Sequence, residues 1–320
     1  MNSLKHIVSL AVVVLCFFSG TQSASALTIS PVKVEVAGDP GQTLRGELDL
    51  LNEQPDSKTL FSTFENFEPS GETGSPKFVG GTTGLATWLD AQQSVTVDSD
   101  QTVKVPYTIT IPTDAEPGGY FAAIFWGEQD PGTKQAGEVA IGGKLGVLIL
   151  LRVNGAITEA AGISDFGLGA VSKLRTTLPV AFSYRFKNDG GDRVVPLGDI
   201  SIINTFGGVA ATIPANPTEG SVLPNSMRKF QSVWGAPQKE GETQSFVAAA
   251  KAELADFHFG VYTAKLSVTY GATNQIATDS FRFFMVPWQL LLIVGAGLIL
   301  IIFSFKRYNA WIIAKSKSRA

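Results

Sequence analysis

The chain has 320 residues, 44% of them hydrophobic and 17% charged, with a formal charge of −3. That length suits about two domains, and the apolar share excludes a disordered chain. All 28 acidic residues but only 19 of the 25 basic ones lie between residues 27 and 305, a net −9 there. Phosphate contact needs clustered Lys and Arg, so this charge argues against nucleic acid as a partner.

At the N-terminus, Lys5 precedes an apolar run from Ile7 to Phe18, and Ala24-Ser25-Ala26 follows. A basic start, a short apolar core and a small-residue cleavage site make a secretory signal. Residues 1–26 are therefore predicted to be removed, leaving Leu27 first. Twelve apolar residues are few for a membrane anchor. Cys16, the sole Cys, lies inside the run after Leu15 rather than after a small residue. It is expected to go with the signal, so no disulfide can pin the mature fold.

Beyond residue 27 the pattern is that of strands. Val103, Val105, Tyr107, Ile109 and Ile111 alternate with Thr102, Lys104, Thr108 and Thr110. Leu178, Val180, Phe182, Tyr184 and Phe186 repeat the pattern, as do Tyr262, Ala264, Leu266, Val268 and Tyr270. Period two puts one face in a core and one in water, which an antiparallel sheet allows. Weaker strands are predicted at 28–36, 43–51, 59–67, 94–97, 120–126, 145–153, 199–204, 209–213, 228–234 and 280–285. Turn residues separate them, such as Asp39-Pro40-Gly41 and Glu116-Pro117-Gly118-Gly119. One Ala-rich helix is predicted near Phe246 to Phe257.

The predicted fold is all-β: two tandem Ig-like antiparallel β-sandwiches, residues 27–155 and 156–282. The stretches Gly71–Gly84 and Gly127–Gly137 read as long polar connections, of a kind that is uncommon unless functional or mobile. From Phe283 to Phe305 run 23 residues without a charge, roughly 35 Å of helix against a bilayer core of about 30 Å. Trp288 stands near one end, and Tyr308 and Trp311 follow the other. The tail, 306–320, carries Lys306, Arg307, Lys315, Lys317 and Arg319 and no acid. Aromatic flanks and a basic tail predict a single-pass membrane protein, ectodomain outside and C-terminus in the cytoplasm.

Catalytic chemistry finds little to work with. His258 is the only His beyond the signal, and a lone His between Phe257 and Phe259 suits packing better than general-base work. No Gly-x-Ser-x-Gly elbow or phosphate-binding loop occurs. One His and no mature Cys leave no structural zinc set. Asp98-Ser99-Asp100 and Asn188-Asp189-Gly190-Gly191-Asp192 gather oxygens, but neither completes a twelve-residue calcium loop, and hairpin turns explain both. No cofactor, no metal and no enzyme activity are expected. A carboxylate pair of the glycosidase kind stays open in type alone, since its spacing is spatial.

Aromatic residues are the better lead. Trp88 follows the Gly-rich stretch and neighbours Asp90; Trp126 closes a strand beside the second connection; Tyr120 follows the Pro-Gly-Gly turn. Such rings on loops stack sugars or pack on a partner, although Trp is buried on average. Trp88, Asp90, Tyr120 and Trp126 are the candidate binding residues.

Several motifs carry a family resemblance. They include Ile29-Ser30-Pro31, Gly41-Gln42-Thr43 leading to Leu50-Leu51-Asn52, Thr87-Trp88-Leu89, Val103-Lys104-Val105-Pro106 and Pro117-Gly118-Gly119-Tyr120. On these the first domain resembles the N-terminal, peptidoglycan-binding domain of the WxL-interacting cell-surface proteins. Through Phe186-Lys187-Asn188-Asp189-Gly190, Leu223-Pro224-Asn225-Ser226 and Phe259-Gly260-Val261-Tyr262-Thr263, the second resembles that family's C-terminal, host-binding domain. The resemblance implies a membrane-anchored, non-enzymatic surface protein that holds cell-wall glycan with one domain and a surface protein with the other. Two alternatives remain. One is a chaperone-like or structural module that pairs a sheet edge with an exported subunit, marked by a long edge strand free of Lys and Pro. The other is an envelope carbohydrate-active enzyme.

Overall fold

A computed structural model describes residues 26–129, 143–169, 173–236 and 245–317. Nearly all of the predicted signal, most of the 127–137 connection and the end of the tail lie outside these residues. The described chain is mostly β, and its contacts divide it into two units. One holds the chain up to Asn154 apart from 68–77 and 117–119. The other holds those two segments and everything from Gly155 onward.

The strands before Asn154 are β1 (Leu27–Ser30), β2 (Lys33–Gly38), β3 (Thr43–Asn52), β4 (Lys58–Ser70), β5 (Ser75–Gly80), β6 (Leu89–Ala91), β7 (Ser94–Val97), β8 (Gln101–Thr110), β9 (Gly118–Gly127) and β10 (Lys144–Val153). They form two sheets, β1-β3-β8-β6 and β2-β10-β9-β4-β5, with β7 also on β4. Alternation builds the core between them. Leu48, Leu50, Val105 and Ile109 come from one sheet, and Leu60, Ile124, Trp126, Ile149 and Leu151 from the other. All are at most 1% exposed, and each buried aliphatic chain contributes about 1.5–3 kcal/mol.

After Gly155 come β11 (Ala161–Leu168), β12 (Leu174–Arg175), β13 (Val180–Asn188), β14 (Leu197–Ile203), β15 (Val209–Pro214), β16 (Ser226–Trp234), β17 (Gly260–Tyr270) and β18 (Gln275–Met285). Helix α1 (Phe246–Ala255) precedes β17, and α2 (Trp288–Lys317) follows β18. The sheets are β11-β13-β16 and β12-β18-β17-β14-β15, around a core rich in aromatic rings that includes Phe182, Tyr184, Phe186 and Phe283.

The two strand orders are one pattern used twice. β1-β3-β8 corresponds to β11-β13-β16, and β2-β10-β9-β4-β5 to β12-β18-β17-β14-β15. In each unit the opening segment pairs first with one sheet, then crosses to run parallel to the last strand of the other, β2 on β10 and β12 on β18.

The same side chain closes each pattern. Asn52 ends β3 and Asn188 ends β13, both fully buried. Asn52 Nδ2 donates to the Asp56 and Val97 carbonyls, and its Oδ1 accepts from Gln54 N. Asn188 Nδ2 donates to the Asp192 and Val222 carbonyls, and its Oδ1 accepts from Gly190 N. Each amide thus ties a tight turn to a distant carbonyl, Val97 at the end of β7 or Val222, which also bridges Val194. In the 188–192 segment Asn188 Oδ1 and the Asp192 carbonyl accept turn bonds, Asp192 Oδ1 accepts from Arg193 N, and the Asp189 carboxylate pairs with Lys187.

Three sequence expectations change. The predicted strand 28–36 is two strands in two sheets, because Pro31 has no N–H to continue the β1 ladder. The Gly71–Gly84 stretch is no loop: Gly71 and Gly74 turn the chain at positive φ, and β5 runs from Ser75 with Phe78 and Val79 in it. The apolar helix begins at Trp288, not Phe283. Phe283 and Met285 alternate into the core at 0% exposure, and Pro287 stands just before the helix, where its fixed φ and missing N–H do no harm. From Trp288 to Ile313 that helix is long and apolar enough to cross a membrane.

Replacing Asn188 by Ala takes the amide partner from the Asp192 carbonyl and Gly190 N, while the Val222 carbonyl keeps its bond from Val194 N. We expect a loss of about 2–4 kcal/mol in the second unit, read as a lower urea midpoint for the full chain in detergent. Asn52→Ala should do the same to the first unit. An unchanged midpoint would show that water replaces the amide at no cost.

Candidate functional site

The predicted binding residues separate into a pair, a neighbour and an outsider. A short 3-10 turn, Gly84–Thr87, carries Trp88. Asn66 holds that turn, its Oδ1 accepting from Ala86 N and its Nδ2 donating to the Thr83 carbonyl. Trp88 N donates to the Leu85 carbonyl, and the Trp88 carbonyl accepts from Thr110 N. With its backbone fixed at both ends, the half-buried indole leans on Tyr120, ring centroids 4.6 Å apart at 47°. Tyr120 Oη donates to the Glu116 carbonyl at 3.0 Å. Burial raises this phenol's pKa above its ordinary value and the Glu116 charge adds to the rise, while the bond to the carbonyl opposes it. Asp90 is exposed on β6, opposite Thr108.

Trp126 is the outsider. Tyr120, Ala122, Ile124 and Trp126 share the inward parity of β9 and belong to the core. At 0% exposure Trp126 offers no ring face to a ligand, so the structure corrects its candidacy: it plugs the sandwich. Its parity with Ile124 was the available signal.

The outward parity of β9 holds what the sequence reading missed. Phe121 packs on Phe67, which meets Phe78, which meets Phe125 at 4.7 Å edge-on. Gly146 leaves room for that last ring, since a Cβ there would stand 2.8 Å from Phe125 Cε1. Lys144 Nζ lies 5.7 Å from the Phe125 ring centre and 3.7 Å from Glu65 Oε1. The expected wet face of this sheet is therefore aromatic, with Phe78 38% exposed.

The second unit offers an edge. β11 pairs with β13 on one side and ends its sheet on the other. Its sequence, Ala161-Gly-Ile-Ser-Asp-Phe-Gly-Leu168, has neither Lys nor Pro. An open groove of about 410 Å³ runs along its first half, lined by Ala161 to Ser164, Lys187, Asp189, Tyr270 and Gln275. Glu159 sets the approach to the strand, its carboxylate accepting from Ala272 N and Thr273 Oγ1 across the β17–β18 turn. The register shifts between Ile163 and Asp165, and Asp165 pairs with Arg185 at 2.6 Å. In the second unit β15 (Val209–Pro214) is a further edge, six residues without Lys and with Pro at its last position; the edges of the first unit are short or blocked. β1 and β6 have four and three residues, β2 carries Lys33, and β5 carries Pro76 and Lys77.

His258 lies 4.7 Å from the Trp234 ring, edge-on, with Nδ1 2.9 Å from the Asp256 carbonyl. It is a packed ring, and among the described residues no carboxylate is bonded to it. Among the described residues no three His, Cys, Asp or Glu gather in a way that could hold a metal ion.

No family model matches the sequence, and no curated protein matches it. Among solved structures, the chain is similar to the class 5 fimbriae chaperone CfaA, at 10% identity over 82% of this chain and 100% of that one, TM-score 0.39. A chain of a chaperone–tip adhesin complex of CFA/I fimbriae biogenesis gives 11%, 67%, 94% and 0.37. One from the CsuC–CsuE chaperone–tip adhesion subunit pre-assembly complex of Acinetobacter baumannii gives 10%, 80%, 97% and 0.35. With TM-scores below 0.5 these likenesses carry no argument, and the functional reading rests on the chain's own sheets and residues.

The different burial of the two Trp residues can be measured. Trp126→Ala should lower the unfolding free energy by about 3–5 kcal/mol, and the half-buried Trp88→Ala by about 1–2 kcal/mol. Urea midpoints of the full chain in detergent would show it. Equal losses would make Trp88 a core residue too.

Proposed function

We propose that this chain is a non-enzymatic, single-pass membrane-anchored envelope protein that holds an exported polypeptide by strand addition. Two tandem Ig-like sandwiches stand outside, α2 crosses the bilayer, and Lys306 and Arg307 mark the cytoplasmic end. The observation that carries the reading is the edge of β11, which has no strand neighbour on one side, its Ala161 carbonyl accepting from Tyr270 Oη. It is eight residues long, without Lys or Pro, and bordered by an open groove, whereas natural edges are normally shortened, charged or capped. An added strand gains main-chain hydrogen bonds worth about 0.5–1.5 kcal/mol each, and alternate side chains reach the groove for specificity. At the Ala161 end the groove is bordered by the Lys187–Asp189 ion pair, 2.9 Å.

A photo-crosslinking residue at Gly162 tests this in cells. We expect adducts with an extracytoplasmic polypeptide, and their loss when Ser164→Lys puts a charge on the edge. Absence of adducts from the unsubstituted edge would remove the reading.

The Trp88–Tyr120 pair supports a second reading for the first sandwich. The tilted rings, with exposed Asp90 two residues on, suit a sugar face and a hydroxyl. The resemblance to WxL-interacting proteins points the same way, to cell-wall glycan. Full-length protein in detergent should co-sediment with purified sacculi, and Trp88→Ala should weaken pelleting several-fold. Without pelleting, the wall-binding reading falls and the strand-addition reading stands.

A further inference from the structure

We propose that the α1 end of the second sandwich is itself a lipid-binding surface, seated on the headgroup layer of the bilayer that α2 enters. The proposal rests on the reading of α2 as a membrane helix, and names what covers the exposed rings around its first turn.

The surface is built from three pieces that the fold ties together. α1 is fixed to the start of α2: Glu253 Oε2 accepts from Leu290 N at 2.7 Å, and the Phe246 and Trp288 rings meet edge-on at 5.9 Å. The Glu253 side chain, 1% exposed, sets a carboxyl oxygen at the N-terminus of α2, where a helix leaves N–H groups without intrahelical partners. Ala249, Ala250 and Glu253 make the buried face of α1. The opposite stripe is Val247, Lys251 and Leu254, at spacings of four and three, with Val247 59% and Leu254 64% exposed. The second piece follows α1, where Phe257 and Phe259 are each more than half exposed. The third is the turn between β14 and β15. Thr205 Oγ1 donates to the Val261 carbonyl and accepts from Val261 N, holding Phe206, which is 96% exposed, beside that same segment.

Register shows why these pieces gather where the membrane begins. Gly260 lies opposite Met285, three residues before Trp288, so the start of β17 and the start of α2 share one end of the sheet. Water alone is a poor neighbour for so many large apolar side chains. The bilayer is the occupant that continuity supplies, because a helix crossing from Trp288 brings the headgroup layer to that level. The chemistry fits: Trp sits at the headgroup level, Phe and Leu of an interfacial helix bury into the headgroup–acyl boundary, and Lys251 between Val247 and Leu254 can lay its stem on lipid and raise its ammonium to the phosphates. The connection is two residues, Val286 and Pro287, between β18 and α2, which keeps this end of the sandwich on the surface.

Spin labels read the depth directly. In a Cys16→Ser background the chain has no other Cys, so single labels at Phe206→Cys, Leu254→Cys and Phe257→Cys report those sites in full-length protein reconstituted in phosphatidylcholine vesicles. Ala272→Cys, at the far turn of the β17–β18 hairpin, is the aqueous control, and Ile299→Cys reports α2. We expect the ratio of oxygen to nickel-chelate collision rates at 206, 254 and 257 to exceed that at 272 several-fold, with 299 higher still. Lipid-like values at 299 with control-like values at 206, 254 and 257 would overturn the proposal and leave the membrane helix standing. Shielding of the three sites from both reagents would overturn it as well, in favour of a protein cover. A control-like value at 299 would remove the membrane helix, and the seat with it.

Discussion

Everything in this fold depends on closing sandwiches without a disulfide. The buried amides of Asn52 and Asn188 meet that constraint. A sandwich end is where strands stop pairing and carbonyls turn inward, and an unpaired buried carbonyl costs about 1–3 kcal/mol. Each Asn stands at the last residue of an inner strand and bonds both the following turn and a backbone carbonyl 45 or 34 residues away. No other uncharged side chain of that size offers two donors and an acceptor in one plane. The core supplies most of the free energy, but apolar burial is non-directional. The amides fix which turn meets which distant carbonyl.

That division of labour explains what was legible in the sequence. Period-two runs such as 103–111, 178–186 and 262–270 announce inward faces, because burial is written in side-chain parity. The same parity, applied to Ile124, also makes Trp126 a core residue. Legibility fails where a backbone event decides. Pro31 splits one apolar run between two sheets, and Gly71 and Gly74 turn the chain so that an apparent loop becomes β5. It fails again at Phe283 and Met285, which are equally apolar in a core or in lipid; only pairing with Tyr262 and Gly260 assigns them to the sandwich. The Trp88–Tyr120 contact joins residues 32 apart and was readable only as two separate candidates.

The outward aromatic cluster of the first unit and the β11 edge of the second are departures of the same kind. A sequence selected for stability alone would place polar residues on an outer sheet face and Lys or Pro on an edge. Phe78 lies in a strand that carries Pro76 and Lys77, so the edge rule is kept there while the face rule is broken. β11 breaks the edge rule, with a register shift between Ile163 and Asp165 in its ladder with β13.

The join between sandwich and helix follows from the same economy. β18 is held on both sides up to its end: Gly260 faces Met285 on one flank, and on the other Phe284 N donates to the Lys173 carbonyl and Val286 N to the Arg175 carbonyl. Pro287 then removes an N–H at the position where a helix can spare it, and the Glu253 carboxylate from α1 takes up Leu290 N. Of the orphan N–H groups at a helix start, one is thus satisfied by a different helix rather than by a local capping residue. Losing that carboxylate would free the start of α2 from the sandwich as well as uncap it, because one hydrogen bond serves both ends. The orientation of the second sandwich on its helix is therefore set by sheet register and a tertiary cap, with no flexible linker between them.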